Sequence, residues 1–209
     1  MEKTNNTNTQ PAAIDAADQL LLDQQELDML AVEISLGKAD VKDKFEEAKK
    51  QMKISIHNFK QALSLEHLQT KDWAIAIKDK LSDLGNKLTH GKAETKQVFE
   101  EQKNNILKGI DNVKNDISKN PQATALANYF TAATEKIKLQ LELFEKKMGV
   151  EKKELTQGFK DEMHTAREKI SLLVAKAKAK KENFDSKLDN FNEEIHVAYD
   201  HLKKAIRAL

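Results

Sequence analysis

The sequence predicts an all-α protein, and three observations lead to that fold class. Charged residues make up 33% of the chain and aromatic residues only 5%, a composition typical of long helices. The chain contains 6 Gly and 2 Pro, so residues that end helices are rare. Apolar residues recur at alternating steps of three and four, which is the period of a helix.

The N-terminal stretch is polar and contains Pro11, so we predict a disordered tail over residues 1–13 and expect no secretory signal. The clearest turn signal is SKNPQ, where Pro121 suits the first position of a helix and Asn120 can cap that helix. These signals predict a first helical arm over 14–118, a turn at 119–121 and a second helical arm over 122–209.

Three glycines leave the number of helices open. Gly37, Gly91 and Gly149 could each end a helix in the left-handed conformation, with a new helix starting after it. The apolar phase continues across Gly37 and Gly91, however, as it would in an unbroken helix. Residues 64–72 are a further possible break. Two architectures therefore stay open: an elongated, coiled-coil-like helical hairpin, and a compact bundle of five or six helices.

One segment of the chain is nearly repeated. GKADVKDKFEE begins at Gly37 and GKAETKQVFEE begins at Gly91, which places Phe45 and Phe99 in register. Three apolar residues per eleven give a period of about 3.67, a hendecad pattern with nearly straight or slightly right-handed winding. The second copy lacks one apolar residue, at Gln102. The repeat predicts one helical packing surface made several times.

We predict that this surface is an apolar seam along which the helices pack, with each other or with a partner. Charged and amide side chains occupy the remaining faces, so the seam is narrow. The predicted packing residues are Phe45, Met52, Ile56, Phe59, Leu63, Trp73, Phe99, Ile106, Ile110, Phe130, Ile137, Phe144, Phe159, Phe184, Phe191 and Ile195.

Composition and motifs exclude several classes of function. The net charge of +1 gives no long-range attraction for nucleic acid, and the absence of cysteine excludes thiol chemistry. No phosphate-binding loop or nucleophile elbow occurs, so we expect no enzyme and no cofactor. Glu193-x-x-His196 is a single proper carboxylate–histidine pair, and a bundle metal site needs two, so we expect no metal. No apolar run of about 18 residues occurs, so the sequence predicts no membrane-spanning helix.

The sequence resembles two protein families. KADVKDKFEEAKKQM and KAETKQVFEEQKNNI resemble the helical repeats of small bacterial coiled-coil stress-response proteins. That resemblance implies a cytoplasmic helical protein without a defined activity. The tandem eleven-residue pattern also resembles exchangeable apolipoproteins, whose helices lie in a lipid interface. Those families punctuate their repeats with proline, whereas here only Pro121 could do so.

The sequence therefore predicts a cytoplasmic, non-catalytic structural or interaction protein that acts through coiled-coil packing. Its partner would be a second copy of the chain or another helical protein. The alternative is an amphipathic lipid-surface or chaperone-like binding protein, with peripheral lipid contact in place of a membrane span.

Overall fold

A computed structural model describes residues 9–64, 71–120, 124–148, 154–179 and 188–209. All regular structure in these ranges is helical, which confirms the all-α class. The helices there are α1 (Thr9–Ser35), α2 (Val41–Ala62), α3 (Asp72–Lys87), α4 (Lys96–Ser118), α5 (Thr124–Lys147), α6 (Gln157–Ala179) and α7 (Leu188–Arg207). Two compact units result: a four-helix unit, Gly37–Glu151, and a three-helix unit, Met1–Leu36 with Lys152–Leu209.

Neighbouring helices of the four-helix unit are antiparallel. Helices α2 and α4 each pack against both α3 and α5. The Phe59 ring lies 5.3 Å from the Phe130 ring at one end of the α2–α5 pair. At the other end the Phe45 ring lies 6.2 Å from the Phe144 ring. Positions that rise along α2 therefore fall along α5, as in an up-down-up-down bundle.

The two copies of the repeat belong to α2 and α4, which are parallel to each other. Phe45 of α2 and Phe99 of α4 are equivalent in the repeat, and their ring centroids are 4.9 Å apart. Lys49 Nζ donates to Gln102 Oε1 at 3.0 Å about one turn later on both helices. The two copies of the repeat therefore meet across the core of the unit through equivalent side chains.

The three-helix unit contains α1, α6 and α7, each of which contacts the other two. Helices α6 and α7 are antiparallel: Lys176 pairs with Glu194 at 2.9 Å, and the Thr156 hydroxyl donates to the carbonyl oxygen of Ala208. The Thr156 hydroxyl also accepts from the backbone N–H of Phe159 at 3.0 Å, so it caps the start of α6.

The second arm predicted over 122–209 contains three helices, α5, α6 and α7. Because α6 and α7 are antiparallel, the chain reverses between Ala179 and Leu188. Neither Gly nor Pro, the strongest turn residues, occurs between these residues, so no turn was predicted there. The reversal lets α6 and α7 pack against each other. The predicted break at Gly149 and the predicted turn residue Pro121 lie outside the described residues.

The first arm predicted over 14–118 is also divided. Helix α1 begins at Thr9, inside the stretch predicted as a tail, and ends at Ser35. Pro11 lies in its first turn, where proline removes no helical hydrogen bond. Gly37 and Gly91 both lie in connections between helices, and residues 65–70 lie outside the described ranges.

Gly37 adopts a left-handed backbone conformation, with φ of 68°. The chain leaves α1 there and starts α2 after Asp40, whose carboxylate accepts from the backbone N–H of Lys42 at 2.7 Å. A β-carbon is strained at positive φ, so glycine is the residue that ends a helix in this way at least cost.

Replacing Gly37 with alanine is expected to lower the free energy of unfolding by about 1–2 kcal/mol, because an L-residue is strained in the left-handed region. Gly91→Ala is the matched control. Gly91 has no positive φ, and a β-carbon added there would meet no atom within 4 Å. Urea unfolding followed by far-ultraviolet circular dichroism measures both variants. Equal destabilisation of the two would contradict the backbone argument.

Candidate interaction surface on the first helix

Most of the residues predicted as the packing seam are buried within the folded chain. Trp73 and Ile195 are half-buried, while Phe191 belongs to α7 with its side chain outside the described part, and Phe184 lies outside it entirely. The buried members are Phe45, Met52, Ile56, Phe59, Leu63, Phe99, Ile106, Ile110, Phe130, Ile137, Phe144 and Phe159. A buried side chain cannot receive a partner without unfolding, so these positions are not the candidate surface.

A polar cluster lies inside the four-helix unit where the second repeat lacks its apolar residue. Lys49 is only 3% exposed, and its ammonium lies 2.8 Å from a carboxylate oxygen of Glu46. It also donates to the carbonyl oxygen of His90 at 3.0 Å and to Gln102. The Gln102 amide in turn donates to the carbonyl oxygen of Gly91 at 2.8 Å. These bonds tie α2 and α4 to the connection after α3.

Two ion pairs join the starts of the two repeats on the surface. Lys92 lies 2.7 Å from Asp43, and Lys42 lies 3.3 Å from Glu94. The hydrogen bond from Lys92 and its charge lower the pKa of Asp43, and the hydrogen bond to Asp43 raises the pKa of Lys92. Both groups of this pair are exposed to solvent, so the pair stabilises little and is screened by salt.

One face of α1 packs inside the three-helix unit. Leu20, Leu27 and Ile34 are buried on it. Asp23, also buried, accepts a hydrogen bond from the Tyr199 hydroxyl of α7 at 3.0 Å. The contacts of this face hold α1 against the other two helices of the unit.

A second row of apolar side chains lies on α1 and is exposed. Leu22 is 51% exposed, Met29 is 61% exposed and Leu36 is 57% exposed. Leu36 follows the last residue of α1 but continues its helical hydrogen bonding, because its N–H donates to the carbonyl oxygen of Val32 at 2.9 Å. Side chains seven residues apart drift by only about 20° around a helix, so the three form one stripe about 21 Å long. We call this stripe, with Gln25 and Val32 between its members, the α1 row.

The other helices carry no comparable row within the described residues. Their large exposed apolar side chains occur singly, one on each of five helices, and single exposed apolar residues need no explanation. These residues are Ile54, Ile75, Val98, Leu172 and Val197. Repetition on one stripe therefore distinguishes α1.

The charged residues of α1 itself are all acidic. No lysine, arginine or histidine occurs between Lys3 and Lys38. The acidic residues of that stretch are Asp15, Asp18, Asp23, Glu26, Asp28 and Glu33. Since the whole chain carries +1, the rest of the chain holds an excess of positive charge. Glu26 is exposed and Glu33 half-exposed, each four residues after a member of the row.

The described residues offer little for other kinds of site. Their His, Asp and Glu side chains form no group of three or more that could hold a metal ion. His201, which is half-buried, contacts Lys169 through Nε2 at 2.6 Å and lies 3.6 Å from Glu162, so the three side chains join α6 and α7. None of the helices in these ranges is both long and apolar enough to cross a membrane.

No protein-family model, curated protein or solved structure matches this chain. Most of the positions that the sequence patterns selected are buried side chains, and the patterns missed the α1 row. Heptad spacing over residues 20–36 contains two apolar rows on one helix, one through Leu20, Leu27 and Ile34 and the other through Leu22, Met29 and Leu36. The absence of basic residues between Lys3 and Lys38 was a second signal.

Proposed function

We propose that the protein is a non-catalytic interaction protein, which binds a helical protein partner along the α1 row. Apolar seams hold each of its two units together internally, and the α1 row provides the external contact. The observation that supports this most is the repetition of large exposed apolar side chains at heptad spacing on one helix. Heptad spacing of apolar residues is the pattern that receives a second helix.

The lack of cysteine and the resemblance to bacterial stress-response coiled coils support a cytoplasmic location as part of the same proposal. Lipid-surface binding is the competing function. A helix that binds anionic lipid carries lysine and arginine along its polar face, and α1 carries neither. We therefore favour a protein partner over a membrane surface.

Photo-crosslinking in the cells of origin tests this function. A photoreactive amino acid at position 29 is expected to give a discrete protein adduct, because Met29 is the centre of the α1 row. Position 54 is the matched control, since Ile54 is 62% exposed and Met29 is 61% exposed. Mass spectrometry of the adducts identifies the captured chain.

Identical adducts from both positions, or none from position 29, would contradict the proposed function. Flotation with anionic vesicles completes the experiment. The purified protein is expected to stay unbound and to keep the same helical circular dichroism signal when vesicles are added. Vesicle binding that is abolished by Met29→Ser would favour the lipid function instead.

A further inference from the structure

We propose that α1 exchanges between two copies of the chain, so that the α1 of each copy packs against α6 and α7 of the other. The connection that ends α1 then becomes helical and joins α1 to α2 as one continuous helix. This inference is independent of the proposed function, because the exchanged contacts lie on the face of α1 opposite the α1 row. It rests on the connection after α1, on the apolar pattern across that connection and on the way α1 is held.

The connection between α1 and α2 is short, and two of its residues define the turn. Only residues 36–40 separate the two helices. Leu36 still continues the hydrogen bonding of α1, and the chain turns away at Gly37, whose φ is 68°. Asp40 is extended, with ψ of 128°, and caps the start of α2. Because glycine adopts either hand at similar cost, rotation of the backbone within these five residues converts the turn into helix.

The apolar pattern across the connection also fits a continuous helix. Ile34 lies on the buried face of α1, and Val41 begins the seam of α2. Steps of four and three join these two residues through Lys38, so the buried face of α1 continues in phase into that seam. Two helices that are separated by a turn do not need a common phase. A helix that runs through both α1 and α2 requires it.

The contacts that hold α1 are specific, but a buried amide at the centre of its packed face is unpaired. Asp28 pairs with Arg167 of α6 at 2.7 Å, and Asp23 accepts from the Tyr199 hydroxyl of α7 at 3.0 Å. Gln24 is 0% exposed, and neither atom of its amide has a hydrogen-bond partner among the described residues. Water can hydrogen-bond to this amide when α1 leaves. Gln24 therefore lowers the cost of releasing α1.

The surface that α1 leaves on α6 and α7 fits the α1 of a second copy. Residues 37–151 separate α1 in sequence from these two helices, so no local connection ties α1 to them. The second copy presents the same α1 sequence, which makes the same hydrogen bond to Tyr199 and the same ion pair with Arg167. Exchange of an identical element forms a dimer without any new complementary surface.

Sedimentation velocity of the full-length chain tests the exchange. The dimer fraction is expected to rise with protein concentration. Gly37→Ala is expected to raise the association constant by about tenfold or more, because alanine is strained in the turn and favours the helical connection. Asp40→Ala, which removes the cap of α2, is expected to act in the same direction. Gly91→Ala is the matched control, since Gly91 has no positive φ, and should leave the dimer fraction unchanged.

Isotope mixing identifies which copy supplies α1. Arg167→Lys keeps a cation beside Asp28 and provides an amine that a carbodiimide joins to that carboxylate. Isotopically heavy and light forms of this variant are mixed, incubated at high concentration and crosslinked. In the dimer fraction, mass spectrometry is expected to find crosslinks between positions 28 and 167 that join a heavy peptide to a light one. In the monomer fraction the same crosslink should join peptides of one isotopic form.

A chain that stays monomeric at every concentration, also with Gly37→Ala, would overturn the inference. So would a dimer whose crosslinks between positions 28 and 167 are all of one isotopic form, because the copies would then meet through another surface. Met29→Ser changes only the α1 row and is expected to leave the dimer fraction unchanged. Loss of the dimer in that variant would place the second copy on the α1 row and overturn the exchange.

The role of Gln24 is tested by the rate at which mixed heavy and light copies exchange. Gln24→Leu removes the unpaired amide and is expected to slow this exchange by about fivefold or more, because α1 is then held more tightly. Circular dichroism melts of each variant verify that the fold is retained. An exchange rate that Gln24→Leu leaves unchanged or increases would contradict the step by which α1 is released.

Discussion

Replacing Phe45 with alanine is expected to lower the free energy of unfolding of the four-helix unit by about 3–5 kcal/mol. Phe45 is fully buried in the unit. Its ring meets Phe99 edge-on at 4.9 Å and Phe144 edge-on at 6.2 Å. Truncation removes these ring contacts and leaves a cavity between α2, α4 and α5, which well-packed aromatic neighbours cannot easily fill. A change of this size is a large part of the stability of a typical domain.

Urea unfolding followed by tryptophan fluorescence measures this destabilisation. Trp73 is the only tryptophan of the chain and belongs to the four-helix unit, so its signal reports that unit. Ile54→Ala is the matched control on the same helix, and because Ile54 is 62% exposed its effect should stay within about 0.5 kcal/mol. An unfolding midpoint unchanged by Phe45→Ala would contradict the packing described for the repeats.

The helical period of the sequence was enough to predict the all-α class. The same period selected Phe45, Phe99 and Ile110. These residues are buried, because burial of one face of a helix imposes that period on the apolar residues. The repeat predicted a shared packing surface. That the two copies would face each other could not be predicted, since it depends on α3 reversing the chain between them and so making α2 and α4 parallel.

Other features had weak signals or none. The residues between α6 and α7 include neither Gly nor Pro, and the Asn, Asp and Ser among them are a weaker turn signal. The α1 row was missed because a pattern of one seam per helix does not describe α1, which has two apolar rows. In the repeat pattern, Gln102 stands out only because it occupies a position where an apolar residue is expected. Its role depends on Lys49, which approaches from another helix and therefore has no signature in the local sequence.

Lys49→Met is expected to destabilise the four-helix unit by about 2–4 kcal/mol. Methionine keeps most of the volume of the side chain but removes the ammonium that Glu46, Gln102 and the carbonyl oxygen of His90 share. The Gln102 oxygen is then left buried without its donor, and an unsatisfied buried acceptor costs more than the bond itself contributes. The ammonium also lies 5.0 Å from the centre of the Phe45 ring, so the substitution removes a cation–π interaction as well.

Adding Gln102→Leu to Lys49→Met is expected to restore at least about 1 kcal/mol, although Gln102→Leu alone should be destabilising by a similar amount. The double variant fills the apolar position that the second repeat lacks and removes one acceptor that the single variant leaves unpaired, the Gln102 oxygen. The Glu46 carboxylate loses the ammonium in both variants, so its cost cancels in the comparison. The carbonyl oxygens of His90 and Gly91 belong to exposed residues, so water can replace the ammonium there. Replacing a buried polar pair by apolar residues of similar volume is often neutral or stabilising, whereas removing one partner is costly. Trp73 fluorescence in urea measures the single and double variants, and additive effects would show that Lys49 and Gln102 do not act as one buried pair.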